Sequence, residues 1–243
     1  MIDIHCHILP GIDDGPKSVD EALDLARACV ADGIRHTVAT PHVFAGRYDN
    51  RRSGIARAAE VFRELLDLHR IPLALSFAGE VRLGAEVIDL LAQDQIPFLG
   101  ECEGFRIMLL ELPDAQIPLG ALNLVRHLLS EGVRPVLVHP ERNKAIMDMP
   151  ERVLPFVDAG CYLQVTAASV TGQFGPRVLE TTDYLLEERL VTVVASDAHN
   201  LSGRPPRMSE AHRILSGRFG EALASELCVS GPARLCGMRS QHG

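Results

Sequence analysis

Tryptophan is absent from these 243 residues, tyrosine occurs 3 times, and lysine stands only at Lys17 and Lys144. So few aromatics and lysines leave no basic groove studded with rings for stacking bases, and a formal net charge of −8 disfavours nucleic acid further. No run approaches the roughly eighteen apolar residues a membrane span needs, and no basic segment followed by an apolar one opens the chain. The expectation is a cytoplasmic protein without membrane insertion. The 6 cysteines include no C-x-x-C pair, and Cys6 falls inside the first expected strand, which argues against a disulfide framework and for reduced, buried thiols. Cys29 with Arg35, and Cys228 with Arg234, match the C-x5-R spacing of cysteine-dependent phosphatases. That chemistry needs its thiolate in a loop that opens a helix, whereas both cysteines lie near expected helix ends, so the matches read as accidental.

Against these absences, 47% of the chain is hydrophobic and no linker or composition shift divides it. Residues 1–243 are expected to form one domain, with about 236–243 as a flexible tail. Short apolar, β-branched runs alternate with amphipathic stretches along the whole length. Strands are expected near 2–7, 34–40, 73–78, 106–110, 133–138, 161–166 and 190–195. Helices are expected between and after them: from a capping box at Ser18 and Glu21 to Gly33, then near 54–69, 85–92, 119–130, 151–159, 176–188, 207–217 and 220–228. Seven strands alternating with helices predict a parallel α/β architecture, most economically a distorted (β/α)7 barrel with its site at the strands' C-terminal ends.

That rule sorts the 10 histidines. His5, His7, His42, His139 and His199 fall at or just past strand ends, while His36, His69, His127, His212 and His242 fall at a strand start, in helices or in the tail. Glu80, Glu111 and Asp197 share the first group's position, and the break at Leu9-Pro10-Gly11 turns Asp13 and Asp14 back toward it. His5 and His7 share one face of a strand while Ile4 and Cys6 face the other, and Asp197-Ala198-His199 repeats that spacing at the last strand. Nine donors, His5, His7, Asp14, His42, Glu80, Glu111, His139, Asp197 and His199, are too many for one ion. Two or three divalent ions bridged by a carboxylate such as Glu80 fit, and imidazole with carboxylate but no thiolate suits Mn, Fe or Zn. Paired ions activate water and clamp an in-line displacement, which is phosphoester or amide hydrolysis. Arg142 and Arg204, just past His139 and His199, are placed to hold phosphate oxygens. Arg47, Arg51, Arg52 and Arg57 form a charge run that reads as a solvated face, with partner docking as the alternative.

The stretches His5-Cys-His-Ile-Leu-Pro-Gly-Ile-Asp-Asp-Gly-Pro16, Val38-Ala-Thr-Pro-His42, Leu110-Glu-Leu-Pro113, His139-Pro-Glu-Arg-Asn143, Gln164 to Gly175 and Ala195-Ser-Asp-Ala-His-Asn200 span nearly the whole chain. Through them the sequence resembles the bacterial protein-tyrosine phosphatases of the polymerase-and-histidinol-phosphatase (PHP) superfamily that regulate capsule and exopolysaccharide synthesis. The resemblance implies a PHP-type barrel with a trinuclear, usually manganese (Mn2+) centre. It assigns His5, His7 and Asp197 to one ion, Glu111 and His139 with bridging Glu80 to a second, and Asp14, His42 and His199 to a third. Arg142 and Arg204 would hold the phosphate, and Asp14 or His199 would lie nearest the departing tyrosinate. The implied substrate is phosphotyrosine in the tail of an autophosphorylating tyrosine kinase, hydrolysed by direct attack of hydroxide on phosphorus. Val43 departs from the many relatives with a second histidine there. Three other readings compete. A histidinol-phosphate type of phosphatase would use the same platform; an amidohydrolase normally needs a bridging lysine, and none stands at a strand end; a non-enzymatic kinase-docking regulator would not need the full donor set.

Overall fold

In the computed structural model, which describes residues 1–238, the apolar runs become ten strands: β1 (Ile2–Cys6), β2 (His36–Ala39), β3 (His42–Val43), β4 (Ala74–Phe77), β5 (Glu80–Arg82), β6 (Gly100–Cys102), β7 (Phe105–Glu111), β8 (Val133–Val138), β9 (Tyr162–Thr166) and β10 (Val193–Ala195). Two expected strands are each split in two. Pro41 has no N–H to give, and Gly79 has no side chain to pack, so the ladder breaks at Thr40-Pro41 and at Ala78-Gly79. It resumes at once: Ala78 N–H donates to Ala39 O at 2.8 Å and Glu80 N–H to Pro41 O at 3.1 Å.

Counting β2/β3 and β4/β5 as one strand each, the parallel order runs β1, β2/β3, β4/β5, β7, β8, β9, β10. It returns to β1 through a parallel bridge between Cys6 and Ala198, with Asp197 N–H donating to His5 O at 2.8 Å and His7 N–H to Ala198 O at 2.9 Å. This is the expected seven-position barrel. β6, not expected, runs antiparallel to β7 through a two-residue turn with both residues left-handed, Glu103 at φ 53° and Gly104 at φ 79°.

Side-chain parity separates two apolar layers. Ile107, Leu109, Val136, Val138, Val193 and Ala195 fill the barrel, while their odd neighbours Met108, Leu110, Leu137 and Val194 pack outward under the helices. The outer layer takes the buried stripe of helix Val19–Ala31, namely Ala22, Leu23, Leu25, Ala26 and Cys29. Each such leucine contributes about 1.5–3 kcal/mol relative to exposure. Ser18 caps that helix by accepting from Glu21 N–H at 3.3 Å, but the expected capping box is incomplete, because Glu21 instead accepts from Lys17 N–H at 2.7 Å.

Further differences lie after β8, where short helices at Lys144–Asp148 and Ala167–Val170 were not expected, and at the C-terminal end. There the expected helix near 220–228 becomes Glu221–Ser225, a wider π turn over Glu226–Ser230, and Gly231–Leu235. Cys236, Gly237 and Met238 still donate backbone hydrogen bonds to Pro232, Arg234 and Ala233. The rest of the expected tail, with His242, lies outside the described residues. Among the described residues no helix is long and apolar enough to cross a membrane.

Candidate metal centre

The inner-face parity carries on past the strand ends and turns apolar lining into donors. Ile107 and Leu109 lead to Glu111, Val193 and Ala195 to Asp197, and Tyr162 to Gln164. His5 reaches the same space by a different route. The register of β1 on β2 slips between Asp3 and Cys6, so Ile4 packs in the inner layer, Cys6 in the outer, and His5 also points inward. Simple alternation put Ile4 and Cys6 on one face; the bulge re-aims the strand. His139, one residue past Val138, has the wrong parity for the mouth but adopts a left-handed backbone (φ 37°), as Asp197 does (φ 51°). Such conformations are costly for non-glycine residues and persist where the surroundings enforce them.

All nine sequence-nominated donors meet at this mouth. His5 Nε2 lies 3.2 Å from His7 Nε2, 3.5 Å from Glu80 Oε1 and 3.4 Å from Asp197 Oδ1. Glu80 also meets His42 Nδ1 at 2.8 Å and His139 Nε2 at 2.7 Å. Asp14 Oδ1 is 3.2 Å from His42 Nε2 and 3.3 Å from His199 Nε2. Four groups bring donor atoms within 4.8 Å of one another: His7, Asp14, His42 and His199; His5, His7 and Glu80; His5, His139 and Asp197; His42, Glu80 and Glu111. The expected trio Asp14, His42 and His199 stays together. Glu111 and His139, expected on one ion, fall in separate groups.

The chemistry of the set fits divalent ions. Buried Asp14 Oδ1, His42 Nδ1, Glu80 Oε2, Glu111 Oε2 and Asp197 Oδ1 have no hydrogen-bond donor or acceptor satisfying them. Unsatisfied buried oxygens of this kind are costly, and cations would satisfy them together. The proton-bearing edges of several rings are already committed. His5 Nδ1 faces Gln164 Oε1 at 2.7 Å, His7 Nδ1 faces Asp13 Oδ2 at 2.7 Å, and His199 Nδ1 donates to Asp197 O at 3.0 Å, leaving each Nε2 turned to the centre.

Titration follows this crowding. Burial alone would raise Asp14, but hydrogen bonds from His199 and His42 hold it well below the usual carboxylate range. Burial likewise opposes ionisation of Asp197, and the charges of Arg204 and Arg142 overcome it. Glu111 is pushed up to about 7 by burial and by the Glu80 charge. His199 falls to about 4 through burial and the neighbouring His7, and His139 to about 4 through burial and Arg142.

Arg142 and Arg204 converge on one atom, Asp197 Oδ2, the former at 2.5 Å. Both line a mouth cavity of about 410 Å³ with Phe44, Arg47, Tyr48, Arg82 and Asp114. Of the other nominated arginines, Arg47 lies over the Tyr48 ring at that rim, Arg52 pairs with Asp94 at 2.6 Å, and Arg51 and Arg57 are exposed. Neither lysine enters the centre: Lys17 Nζ donates to Asp13 O and Lys144 is exposed on its helix. The two decoy thiols are buried away from it, Cys228 being pushed up to about 12 by burial.

Several residues with roles here were not nominated. Asp13 accepts from His7, from Gly15 N–H at 2.9 Å and from His42 N–H at 3.2 Å, so one carboxylate braces two donors. Asp3 binds Ser196 through both N–H and hydroxyl and steadies the turn before Asp197. Glu141, fully buried, accepts from Thr166 N–H and Ser169 Oγ and so anchors the turn carrying His139 and Arg142. Asp13→Asn keeps an acceptor for His7 but removes the charge that makes its ring a strong base. We expect divalent-ion affinity to fall about tenfold with the fold intact, as read by calorimetric titration.

With the geometry established, comparison places the chain among known proteins. The family model for capsular polysaccharide synthesis, CpsB/CapC, matches residues 1–236. Tyrosine-protein phosphatase YwqE of Bacillus subtilis is 37% identical over 223 residues, covering 92% of this chain and 87% of that protein. Tyrosine-protein phosphatase CpsB of Streptococcus pneumoniae is 33% identical over 244 residues, covering 97% and 98%. A solved structure from the work on YwqE and CpsB, described as unique metal-dependent tyrosine phosphatases, superposes with TM-score 0.90 at 35% identity over 98% of this chain and 96% of that one. The phosphotriesterase homology protein of Escherichia coli superposes with TM-score 0.61 at 13% identity over 96% of this chain and 97% of that one, a likeness of fold alone. The chain therefore belongs to the CpsB/CapC family of capsular polysaccharide synthesis.

Proposed function

We propose that this protein is a metal-dependent tyrosine-protein phosphatase acting in the cytoplasm on a phosphotyrosine protein, the tail of an autophosphorylating tyrosine kinase that controls capsule synthesis. The observation that carries this reading is the meeting of nine imidazole and carboxylate donors with two arginines at one barrel mouth. Relatives named as tyrosine-protein phosphatases support it. His5, His7, Asp14, His42, Glu80, Glu111, His139, Asp197 and His199 would hold two or three ions, for which manganese suits the thiolate-free set. Bound there, the ions supply positive charge and a nucleophilic water at neutral pH.

The chain's own residues do the rest. Arg142 and Arg204, fixed against Asp197, present guanidinium charge to the equatorial phosphate oxygens. Asp14 is held ionised and His199 neutral, its Nδ1 proton committed to the Asp197 carbonyl, so both serve as ligands. A tyrosine oxygen, with a pKa of about 10, is a good enough leaving group to depart without a proton from either.

Turnover of p-nitrophenyl phosphate and a phosphotyrosine peptide, against histidinol phosphate and a phosphoserine peptide, tests the reading. Chelation is expected to abolish the first two activities and Mn2+ to restore them, while the Cys29→Ser, Cys228→Ser double variant stays active. A chelator-resistant enzyme killed by the double substitution overturns it, and preference for histidinol phosphate overturns the substrate assignment.

A further inference from the structure

Arg82 is the one arginine at the mouth that strand register delivers directly. In the parallel pairing of β5 with β7, Glu80 stands opposite Leu109 and Arg82 opposite Glu111, and Leu83 N–H donates to Glu111 O at 2.8 Å. Residues two apart on a strand share a face. The turn of β5 that sends Glu80 into the donor cluster therefore sends Arg82 to the rim above it, beside the Glu111 side chain. Arg82 Nη1 lies 2.9 Å from Glu111 Oε1. The other oxygen, Oε2, is buried without a partner and is the one grouped with His42 and Glu80, 3.9 Å from His42 Nδ1. On its far side the guanidinium lies over the Phe44 ring, 5.2 Å from its centre, and Asp114 Oδ1 is 3.5 Å away.

We infer that Arg82 is a positioning residue for the metal centre: it pins the outer oxygen of Glu111, so that the inner oxygen alone is offered to an ion shared with His42 and Glu80. Two physical effects act together. A carboxylate 6% exposed beside a second buried carboxylate needs a counter-charge whether or not an ion is bound. A ligand fixed at one oxygen also loses less freedom when its other oxygen coordinates, which is how outer partners commonly tune metal affinity. Because Phe44 packs on the same guanidinium, the segment that walls the substrate mouth leans on the residue that orients Glu111.

The inference rests on the metal-centre reading, but its test reads metal binding rather than turnover. Divalent-ion affinity is measured by Mn2+ titration calorimetry on the full chain for the parent, Arg82→Ala, Glu111→Gln and the double variant. Arg82→Ala is expected to weaken one class of site about tenfold to a hundredfold. Adding it to Glu111→Gln is expected to cost nothing more, because the arginine acts through that carboxylate. Asp114→Ala, which removes a contact 80% exposed, is expected to change nothing. Should Arg82→Ala fail to fold by circular dichroism, Arg82→Gln, which keeps a donor but no charge, takes its place. Unchanged Mn2+ affinity in the folded variant, or equal losses in the parent and Glu111→Gln backgrounds, overturns the proposal. If the parent binds no Mn2+, the metal-centre reading itself fails instead.

Discussion

Glu80→Gln is expected to lower kcat/KM on p-nitrophenyl phosphate by about 10³-fold or more, and the purified variant is expected to carry less divalent metal than the parent. The magnitude follows from position. Glu80 is buried and touches four imidazoles, His5 at 3.5 Å, His7 at 3.3 Å, His42 at 2.8 Å and His139 at 2.7 Å, and it belongs to two of the donor groups. Glutamine keeps the shape but offers one acceptor oxygen and no charge, so it cannot join two ions. Loss of the several kcal/mol of charge stabilisation that metal ions supply corresponds to about three powers of ten. A variant that folds, retains its metal by elemental analysis and turns over at the parent rate would show that the centre does not work as described.

The second large effect is expected at the arginines. Arg142→Ala and Arg204→Ala should each reduce kcat/KM about 10²-fold or more, the range found when one preorganised donor to a developing negative charge is removed. The two losses are not expected to add, since both guanidinium groups hold the same oxygen, Asp197 Oδ2. Removing one leaves the aspartate to the other and shifts the survivor. Arg142→Lys should rescue little, because an ammonium is a point charge and cannot grip a carboxylate and a phosphate at once. Retained Mn2+ binding with lost turnover would separate phosphate binding from metal binding. A lysine variant with full activity would show that charge alone suffices.

The barrel was legible because each repeat carries its own punctuation: apolar β-branched residues, then a donor, then a glycine or proline. The donors were legible because H-x-H and D-x-H at strand ends point both side chains one way. What stayed hidden depended on contacts between distant segments. Ending a strand at Gly79-Glu80 left Arg82 off any strand, so its pairing with Glu111 could not be read; only the resumed ladder past Pro41 reveals it. Gln164 had no local mark beyond its parity on β9, and its partner His5 is 159 residues away. The β1 bulge left no turn residue in Ile4-His5 to announce it. The β6 hairpin hid for a related reason: Glu103-Gly104 carries one glycine where asparagine or aspartate would have been the stronger signal.

The barrel is closed by a seam between its first and last strands, and that seam consists of the donors' own backbone: Asp197 N–H to His5 O and His7 N–H to Ala198 O. During synthesis the N-terminal imidazoles emerge first and must wait for nearly the whole chain before the strand that completes their surroundings leaves the ribosome. Contacts of such long sequence separation form late and slowly. A nascent or truncated chain lacking β10 would therefore present His5 and His7 without Asp197, His199 and Arg204, and could assemble neither the complete donor set nor the phosphate clamp. Activity is thereby withheld until translation is almost finished.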